Sequence, residues 1–389
     1  MGWSWWLGSV VCILVAISHG GAAGVCEEVI KPKGYQCQEH TMTTKDGYIL
    51  SLQRISQGRT PTPSNHTRQP VLLQHGLTMD GVSWLISPPG ESLAFVLADN
   101  GFDVWISNTR GTKWSRKHTT LDPSDPGFWA WSWDELAEYD IPALFEYVNN
   151  QTGKKVNYVG HSLGTLIALA SFSQGKAANL TRSAAFLSPI AYLSHMTTPL
   201  VLIASRTMLG QLAIWMGIAE FNIALPALKA LVKGVCMNPH IDCFNMVSAI
   251  TGKNCCLNSS TIELFLQYEP QSTSTRNMVH LAQMIKNGDV AKYDYGNPNE
   301  NMIHYSQSTP PKYNMSNIPR DLPLFFSHGG YDALSDVEDV NLLIAHLDSH
   351  DKDKITIQFV DNYAHVDFIL SVNAKQVVYE PLIDFLKRH

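Results

Sequence analysis

The sequence has few charged side chains and no run of basic ones. Only 16% of its 389 residues are Asp, Glu, Lys or Arg, whereas about 25% is usual for a soluble globular protein. The 28 basic and 34 acidic residues leave a net charge of −6. Because nucleic-acid recognition requires a concentrated basic surface, we expect no nucleic-acid partner.

Long hydrophobic runs are also missing beyond the N-terminus. Past residue 24 no apolar, uncharged run reaches the length of about 18 residues that a membrane-spanning helix needs. Residues 1–24 carry no charged side chain, and their apolar stretch ends at the small residues Ala22, Ala23 and Gly24. This pattern predicts a signal peptide over residues 1–24, with an uncleaved membrane anchor as the alternative. We expect a mature chain without a transmembrane anchor, secreted or delivered to a vacuole or lysosome-like compartment.

Cysteine is sparse, and its even number in the mature chain favours disulfides over free buried thiols. Clustering favours a bridge between Cys26 and Cys37 and two bridges among the other four. Because Cys255 and Cys256 are adjacent, we expect each to pair with one of the two cysteines before them rather than with each other. No His/Cys spacing fits a zinc site, so no metal is expected. The mature cysteines are Cys26, Cys37, Cys236, Cys243, Cys255 and Cys256.

Five Asn-x-Ser/Thr sequences follow the predicted signal peptide. Such sequences accept N-linked glycans when they lie on the surface of a secreted protein. The candidate asparagines are Asn65, Asn150, Asn179, Asn258 and Asn314.

Short apolar runs alternate with segments of helical periodicity through much of the chain. Residues 38–54 first predict a β-hairpin around Asp46-Gly47. Strand-like runs then cover residues 71–74, 102–107, 156–159 and 184–187, and helical spacing covers 136–148 and 163–172. This alternation predicts an α/β protein with a mostly parallel sheet and helices on both faces.

The alternation stops near residue 190 and resumes near residue 312. Residues 191–311 are rich in Leu, Ile, Met and Ala, and they contain no clear strand–helix units. We therefore expect an inserted helical cap over 191–311 and a discontinuous core formed by 25–190 and 312–389. The cap is interpreted either as a lid over an apolar site or as a second hydrophobic core.

The sharpest motif is Gly-His-Ser-Leu-Gly at residues 160–164. It follows a strand-like run and precedes a helical one, which is the context of a nucleophile elbow. Ser162 is therefore the candidate nucleophile. An oxyanion hole needs two backbone N–H donors. We expect them from Leu163, which follows the serine, and from Leu77 in the sequence His-Gly-Leu after an early strand.

A serine nucleophile needs a histidine base and an acid that orients it, and in this architecture the acid and then the histidine follow the serine in the chain. Strand-like residues 324–327 precede His-Gly-Gly-Tyr-Asp, and 355–360 precede the sequence that ends at His365. These positions predict Asp332 as the acid and His365 as the base. Weaker rivals for the two roles are Asp336, Asp361, Asp367, His328 and His161.

Several longer stretches resemble the acid lipase family, which includes gastric and lysosomal acid lipases and plant triacylglycerol lipases. They include EHTMTTKDGYILSLQRI, VLLQHGLTMDGVSWL, GFDVWISNTRGTKWSRKH, FWAWSWDELAEYDIPA, GHSLG, SPIAYLSH, HGGYDALSD and YAHVDFI. NCCLNSSTIELFLQYEPQSTSTRNM is similar to plant members in particular. The resemblance implies an α/β-hydrolase core with a lid-bearing cap and hydrolysis of triacylglycerols or sterol esters.

By matching position, the resemblance assigns the family nucleophile, acid and base to Ser162, Asp332 and His365, and the oxyanion donors to Leu77 and Leu163. The family often has Gln after the nucleophile, where this chain has Leu163. The donor is the backbone N–H, so the hole should survive this change.

The sequence therefore predicts a secreted serine ester hydrolase that acts on lipid esters at a lipid–water interface without a cofactor. One alternative is a carboxylesterase for soluble short-chain or sterol esters. Another is a non-catalytic α/β-hydrolase that binds a lipid or signal molecule, which the intact Ser162, Asp332 and His365 argue against.

Overall fold

A computed structural model describes residues 24–60, 68–198, 202, 205, 209–222 and 243–389. The predicted signal peptide lies outside these residues except for Gly24, as do Asn65 and Cys236.

A mostly parallel sheet forms the centre of the protein. From one edge its strands run in the order β1-β2-β4-β3-β6-β7-β10-β11, with β5 paired to β2. The β1–β2, β2–β4 and β2–β5 pairs are antiparallel, and all other pairs are parallel. These strands are β1 (Gln38–Thr43), β2 (Tyr48–Ile55), β3 (Gln69–Gln74), β4 (Phe102–Ser107), β5 (Lys117–His118), β6 (Val156–His161), β7 (Thr181–Leu187), β10 (Leu324–Gly329) and β11 (Ile355–Val360). The predicted hairpin is formed by β1 and β2.

In the described residues, helices connect the strands and form much of the segment between β7 and β10. The α-helices are α1 (Leu93–Asp99), α2 (Trp133–Glu135), α3 (Ile141–Thr152), α4 (Leu163–Ser173), α5 (Leu209–Trp215), α6 (Cys243–Thr251), α7 (Ser259–Tyr268), α8 (Thr275–Asn287), α9 (Pro298–Tyr305), α10 (Val337–Ala345), α11 (Asp367–Leu370) and α12 (Glu380–Arg388). π-Helical turns occur at Cys26–Ile30, Leu136–Asp140 and Lys375–Tyr379. 3₁₀ turns occur at Lys31–Lys33, Gly81–Trp84, Pro126–Trp129, Ala178–Leu180, Met315–Asn317 and Lys352–Lys354.

Each face of the sheet packs against its own apolar cluster. Leu72 and Tyr158 belong to a cluster with side chains from α3 and α4. Their neighbours Leu73 and Val159 belong to a second cluster with side chains from α1 and α12. Successive residues of a strand point to opposite faces, so the central strands are apolar on both. This burial confirms the predicted α/β fold with helices on both faces.

The segment at residues 191–311, called the insertion below, separates β7 from β10. Its described residues include α5, α6, α7, α8 and α9, together with a small antiparallel pair of strands, β8 (Glu220–Phe221) and β9 (Thr273–Ser274). Helices thus dominate the described part of the insertion, while its function as a cap stays a prediction.

Among the described residues, one disulfide agrees with the expected pairing and another contradicts it. Cys26 is bonded to Cys37, as predicted. Cys255 is bonded to Cys256, so the expectation that each would reach an earlier cysteine is wrong. Cys243 begins α6, and a helix rises by about 1.5 Å per residue. The nine residues of α6 therefore place its two ends about 12 Å apart, so the chain that leads to Cys255 and Cys256 leaves the helix at a point beyond the Cα–Cα reach of a disulfide from Cys243.

None of the helices in the described part of the chain is both long and apolar enough to cross a membrane.

Candidate active site

Ser162 occupies a sharp turn between β6 and α4. Its backbone has φ 53° and ψ −120°, a conformation that costs an L-residue free energy and persists only where its surroundings enforce it. The turn is held tightly against β3, because a Cβ added to Gly164 would lie 2.6 Å from the Gln74 carbonyl oxygen. The strand–turn–helix arrangement expected from the motif is thus present, with Ser162 at the N-terminus of a helix whose residues are all buried.

Asp332 lies in the loop that follows β10 and is 4% exposed. Its Oδ1 accepts hydrogen bonds from the backbone N–H groups of Leu334 at 3.0 Å and Ser335 at 2.7 Å. These two donors fix the orientation of the carboxyl group.

His365 follows β11 and contacts the Asp332 carboxyl group directly. Its Nδ1 lies 2.9 Å from Asp332 Oδ1 and 3.0 Å from Oδ2. A carboxylate only accepts, so Nδ1 carries the hydrogen and Nε2 keeps a free lone pair. Nε2 is buried and accepts no hydrogen bond from any residue that the structure describes. This tautomer is the one a general base requires.

Three hydrogen bonds fix the backbone of His365. Its carbonyl oxygen accepts from His161 Nε2 at 2.9 Å and from Ser188 Oγ at 3.0 Å. Its N–H donates to the Thr251 carbonyl oxygen at 3.1 Å. The imidazole orientation therefore depends on groups from β6, from the end of β7 and from the insertion.

His161 is fully buried beside the serine. Burial, and to a smaller degree the nearby His365, lower its pKa to about 3. Its Nε2 faces a carbonyl oxygen, so the neutral ring carries its hydrogen there. His161, one of the rivals for the base, therefore holds the backbone of His365 through this hydrogen bond.

The remaining rivals for the acid and base have other partners. Asp336 is the N-cap of α10 and accepts from Glu338 N–H. Asp361 is exposed. Asp367 accepts from Ala364 N–H at 2.7 Å and belongs to the turn after His365. The His328 ring packs against Phe359, 5.2 Å between ring centres.

The loop at residues 75–80, called the HGL loop below, packs against the elbow. A Cβ on Gly76 would lie 3.0 Å from Ser162 Cβ. His75 Nε2 accepts from Thr109 N–H at 3.0 Å, and its Nδ1 donates to the Gly76 carbonyl oxygen at 2.9 Å. Burial lowers the pKa of His75 to about 4, which keeps the ring neutral for both bonds.

The two predicted oxyanion donors belong to the two segments that meet at this contact. Leu163 follows Ser162 and begins α4, where backbone N–H groups have no acceptor within the helix. Leu77 follows Gly76, the residue of the HGL loop that packs against Ser162. Their roles as donors stay predictions.

One carbonyl group of the insertion accepts hydrogen bonds from both the acid loop and the base loop. The Thr251 carbonyl oxygen accepts from Ala333 N–H at 3.3 Å as well as from His365 N–H. The next residue, Gly252, forms an isolated β-bridge with Asp332. Sequence reasoning missed this contact, because a carbonyl group leaves no residue-type signal.

Asp367 forms a second junction that the sequence did not reveal. Its Oδ2 accepts from Cys255 N–H at 3.1 Å, and its Oδ1 accepts from Ser371 Oγ at 2.6 Å. Burial raises the pKa of this carboxyl group. The bonded cysteine turn is thus held against the loop that carries His365.

Family models match the chain in two overlapping stretches. A model described as a partial alpha/beta-hydrolase lipase region matches residues 26–88. A model described as an alpha/beta hydrolase fold matches residues 69–215. The two matches together contain the HGL loop and the elbow at Ser162.

Curated relatives match over nearly the whole chain. Triacylglycerol lipase 2 of Arabidopsis thaliana is 52% identical over 369 residues, covering 94% of this chain and 88% of that protein. Human lysosomal acid lipase/cholesteryl ester hydrolase is 34% identical, covering 98% of each chain. Rat gastric triacylglycerol lipase is 36% identical, covering 91% of this chain and 89% of that protein.

Solved structures share the fold at low sequence identity. A soluble variant of monoglyceride lipase from Saccharomyces cerevisiae superposes with a TM-score of 0.57 at 16% identity, covering 91% of this chain and 96% of that chain. A carboxyl esterase from Bacillus coagulans gives 0.56 at 15% identity, covering 90% and 98%. At this identity the likeness shows the fold alone.

Proposed function

Because this chain belongs to the family of α/β-hydrolase lipases that includes plant triacylglycerol lipases and animal acid lipases, we propose that it hydrolyses the fatty-acyl ester bonds of triacylglycerols. The observation that carries the proposal is the strained Ser162 at the N-terminus of α4, together with the Asp332–His365 contact. A buried histidine with a free Nε2 and a carboxylate on Nδ1 suits general-base catalysis.

In the proposed reaction Ser162 Oγ attacks the acyl carbonyl carbon while His365 Nε2 takes the hydroxyl proton. Asp332 stabilises the imidazolium that forms. The N–H groups of Leu77 and Leu163 bind the oxyanion of the tetrahedral intermediate. His365 then gives its proton to the departing alcohol, and a water molecule, activated by the same histidine, releases the fatty acid.

The insertion supports a lipid substrate in this proposal. Residues 191–311 are rich in apolar side chains, and Leu212, Met216 and Ile218 are exposed there. An apolar surface beside the site would shelter acyl chains from water. We propose that the insertion is the cap and that the site works at a lipid–water interface.

We also propose delivery through the secretory route. The Cys26–Cys37 disulfide suits an oxidising compartment. Within the described residues the candidate asparagines Asn150, Asn179, Asn258 and Asn314 are all exposed. Treatment of the protein from its native host with an endoglycosidase would test this, since a loss of apparent mass is expected.

The decisive test of function is fatty-acid release from emulsified triolein and from dissolved tributyrin, with Ser162→Ala alongside. Ser173→Ala is the matched control, because Ser173 is also buried on α4 but bonds only the Ala170 carbonyl. Hydrolysis of triolein that disappears in Ser162→Ala alone supports a lipase. Activity on tributyrin only would indicate a carboxylesterase. Activity retained in Ser162→Ala would contradict the nucleophile, and inactivity of the wild type on every ester would favour a binding protein.

A further inference from the structure

Two buried carboxyl groups face each other where the insertion contacts the HGL loop. Asp80 ends the loop and is fully buried, and Glu269 from the insertion is 1% exposed. The Asp80 N–H donates to Glu269 Oε1 at 3.0 Å. The two side chains also lie close enough to hydrogen-bond each other when one is protonated. This pair has no part in the reaction as proposed above.

Among the described residues no buried cation neutralises the pair. Asp80 Oδ1 accepts from Val82 N–H at 2.7 Å. Asp80 Oδ2 and Glu269 Oε2 are buried, and within the described residues neither accepts a hydrogen bond of ordinary length and angle, although the Trp114 indole N–H faces Asp80. Two ionised carboxylates in contact and out of water repel each other strongly. A proton held by one of the two groups supplies the missing donor and removes one charge.

The same part of the insertion holds the HGL loop at a second point. The Gln271 N–H donates to the Thr78 carbonyl oxygen at 2.7 Å. The Gln271 side chain accepts from Lys113 N–H at 3.0 Å, on the loop after β4. Glu269 and Gln271 thus bind the HGL loop at Asp80 and at Thr78, and Thr78 is the residue that follows Leu77.

We propose that Asp80 and Glu269 are positioning residues that hold the HGL loop, and with it the Leu77 N–H, in its active arrangement while they share a proton. The inference rests on the oxyanion role proposed for Leu77. Neither carboxyl group contacts the substrate, so both act on the reaction through the position of the loop.

Proton sharing gives the arrangement a defined pH dependence. Burial raises the pKa of Asp80 to about 6, and burial next to Asp80 raises the pKa of Glu269 well above its ordinary value. Because both pKa values are raised above those of the unfolded chain, the stabilisation is complete below about pH 4 and is lost as pH rises through the raised values, about 6 for Asp80. The loop should therefore loosen on the alkaline side.

Other titratable groups near the pair do not replace the shared proton. Lys113 faces Asp80, but it is more than half exposed and lies 3.7 Å from Glu28. The buried indole N–H of Trp114 also faces Asp80 and does not titrate. Burial raises the pKa of Tyr268, which keeps that phenol neutral. The pH response is thus expected from the carboxyl pair itself.

The test compares kcat and KM for tributyrin across pH in the wild type and in Glu269→Gln. The amide keeps an oxygen for the Asp80 N–H and supplies a permanent N–H to Asp80 Oδ2. Between about pH 5 and about pH 8, we expect the ratio of wild-type kcat to variant kcat to fall about tenfold. The reason is that one oxyanion donor accelerates the reaction about 10²–10³-fold, and the wild type should lose part of that acceleration when the loop loosens. KM should change little, because the donor acts on the transition state.

The matched control is Asp134→Asn. Asp134 is another buried carboxyl group whose pKa burial raises to about 6, and it joins the core to the insertion by accepting from Tyr293 N–H at 2.8 Å. It does not contact the HGL loop, so its variant should keep the wild-type pH profile of kcat. If Glu269→Gln does not fold, Asp80→Asn places the amide on the other side of the same contact.

A measurement that needs no turnover separates this inference from the proposed function. Hydrogen exchange of a peptide spanning residues 75–80, corrected for the intrinsic pH dependence, should show protection lost at alkaline pH in the wild type and kept in Glu269→Gln. Equal protection and parallel pH profiles in the two proteins would overturn the inference. An inactive wild type whose loop still shows this difference would overturn the proposed function alone.

Discussion

His161 donates its Nε2 hydrogen to the carbonyl oxygen of His365 at 2.9 Å. The residue directly before the candidate nucleophile therefore positions the candidate base, although the two histidines are 204 residues apart. The serine and histidine loops are in this way joined through the backbone carbonyl group of His365.

Replacement of His161 should lower kcat, because His161 helps to fix the position of His365. His161→Ala removes one of two hydrogen bonds to the His365 carbonyl, and a shift of a catalytic group by about 1 Å can cost about 100-fold in rate. We expect kcat to fall about 10- to 100-fold with little change in KM. His350→Ala is the control, because His350 is also buried and its Nε2 bonds the Leu322 carbonyl at 2.8 Å. Equal kcat values in the two variants would contradict the positioning role.

Replacement of the acid should affect the tautomer of the base. Asp332→Asn keeps the size of the side chain but offers His365 Nδ1 an N–H group as readily as an oxygen. We expect kcat to fall about 10⁴-fold, as in serine proteases that lose this carboxylate. Asp336→Asn, at the N-cap of α10, should retain activity and lose at most about 1 kcal/mol of stability. A larger kcat loss in Asp336→Asn would reverse the assignment of the acid.

Arg110 should be the most costly charged residue to replace. Its side chain is fully buried and donates hydrogen bonds to Asp46 Oδ2 at 2.6 Å and to Asp140 Oδ1 at 3.0 Å. Its guanidinium group also lies over the Tyr48 ring, with Cζ 3.8 Å from the ring centre. Arg110→Met leaves Asp140 buried without its cation, which should cost about 3–5 kcal/mol in the free energy of unfolding.

Urea unfolding would measure this loss against Arg320→Met. The Arg320 side chain is 70% exposed where it pairs with Asp351, and such surface pairs contribute about 0–1 kcal/mol. Losses of similar size in both variants would show that the buried network does not stabilise the core.

The two disulfides of the described residues should differ in how much they contribute to the free energy of unfolding. The Cys26–Cys37 bond closes a loop with a sequence separation of 11, and replacing both cysteines with alanine should cost about 3 kcal/mol through the unfolded chain. Cys255 and Cys256 are neighbours, so their bond restricts almost no loop and its loss should cost about 1 kcal/mol. Denaturant unfolding of the two double variants would test the difference, and equal losses would contradict this account.

The sequence could predict the positions of Ser162, Asp332 and His365 because each follows a strand that is recognisable locally. In a parallel sheet the carboxyl ends of such strands meet at one edge, so three separate motifs could be expected to converge. The fold class followed from the same strand–helix alternation. The roles of the three residues stay predictions that the mutants above test.

The contacts that support the site could not be predicted in this way. Asp80 and Glu269 are 189 residues apart, and each alone is an ordinary acidic residue. The Thr251 carbonyl group carries no residue-type signal at all. The pairing of Cys255 with Cys256 was missed because sequence clustering does not show that α6 separates them from Cys243.

The Thr251 carbonyl and the Glu269 carboxyl group have a consequence for how such enzymes diversify. The Thr251 carbonyl oxygen accepts hydrogen bonds from the N–H groups of Ala333 and His365. The Glu269 carboxyl group accepts one from the N–H of Asp80, at the end of the HGL loop. An exchange of residues 191–311 between relatives would therefore replace contacts that hold the acid, base and HGL loops along with the proposed cap. We expect chimaeras to keep their turnover only when the junction from Thr251 to Gln271 stays with its own core.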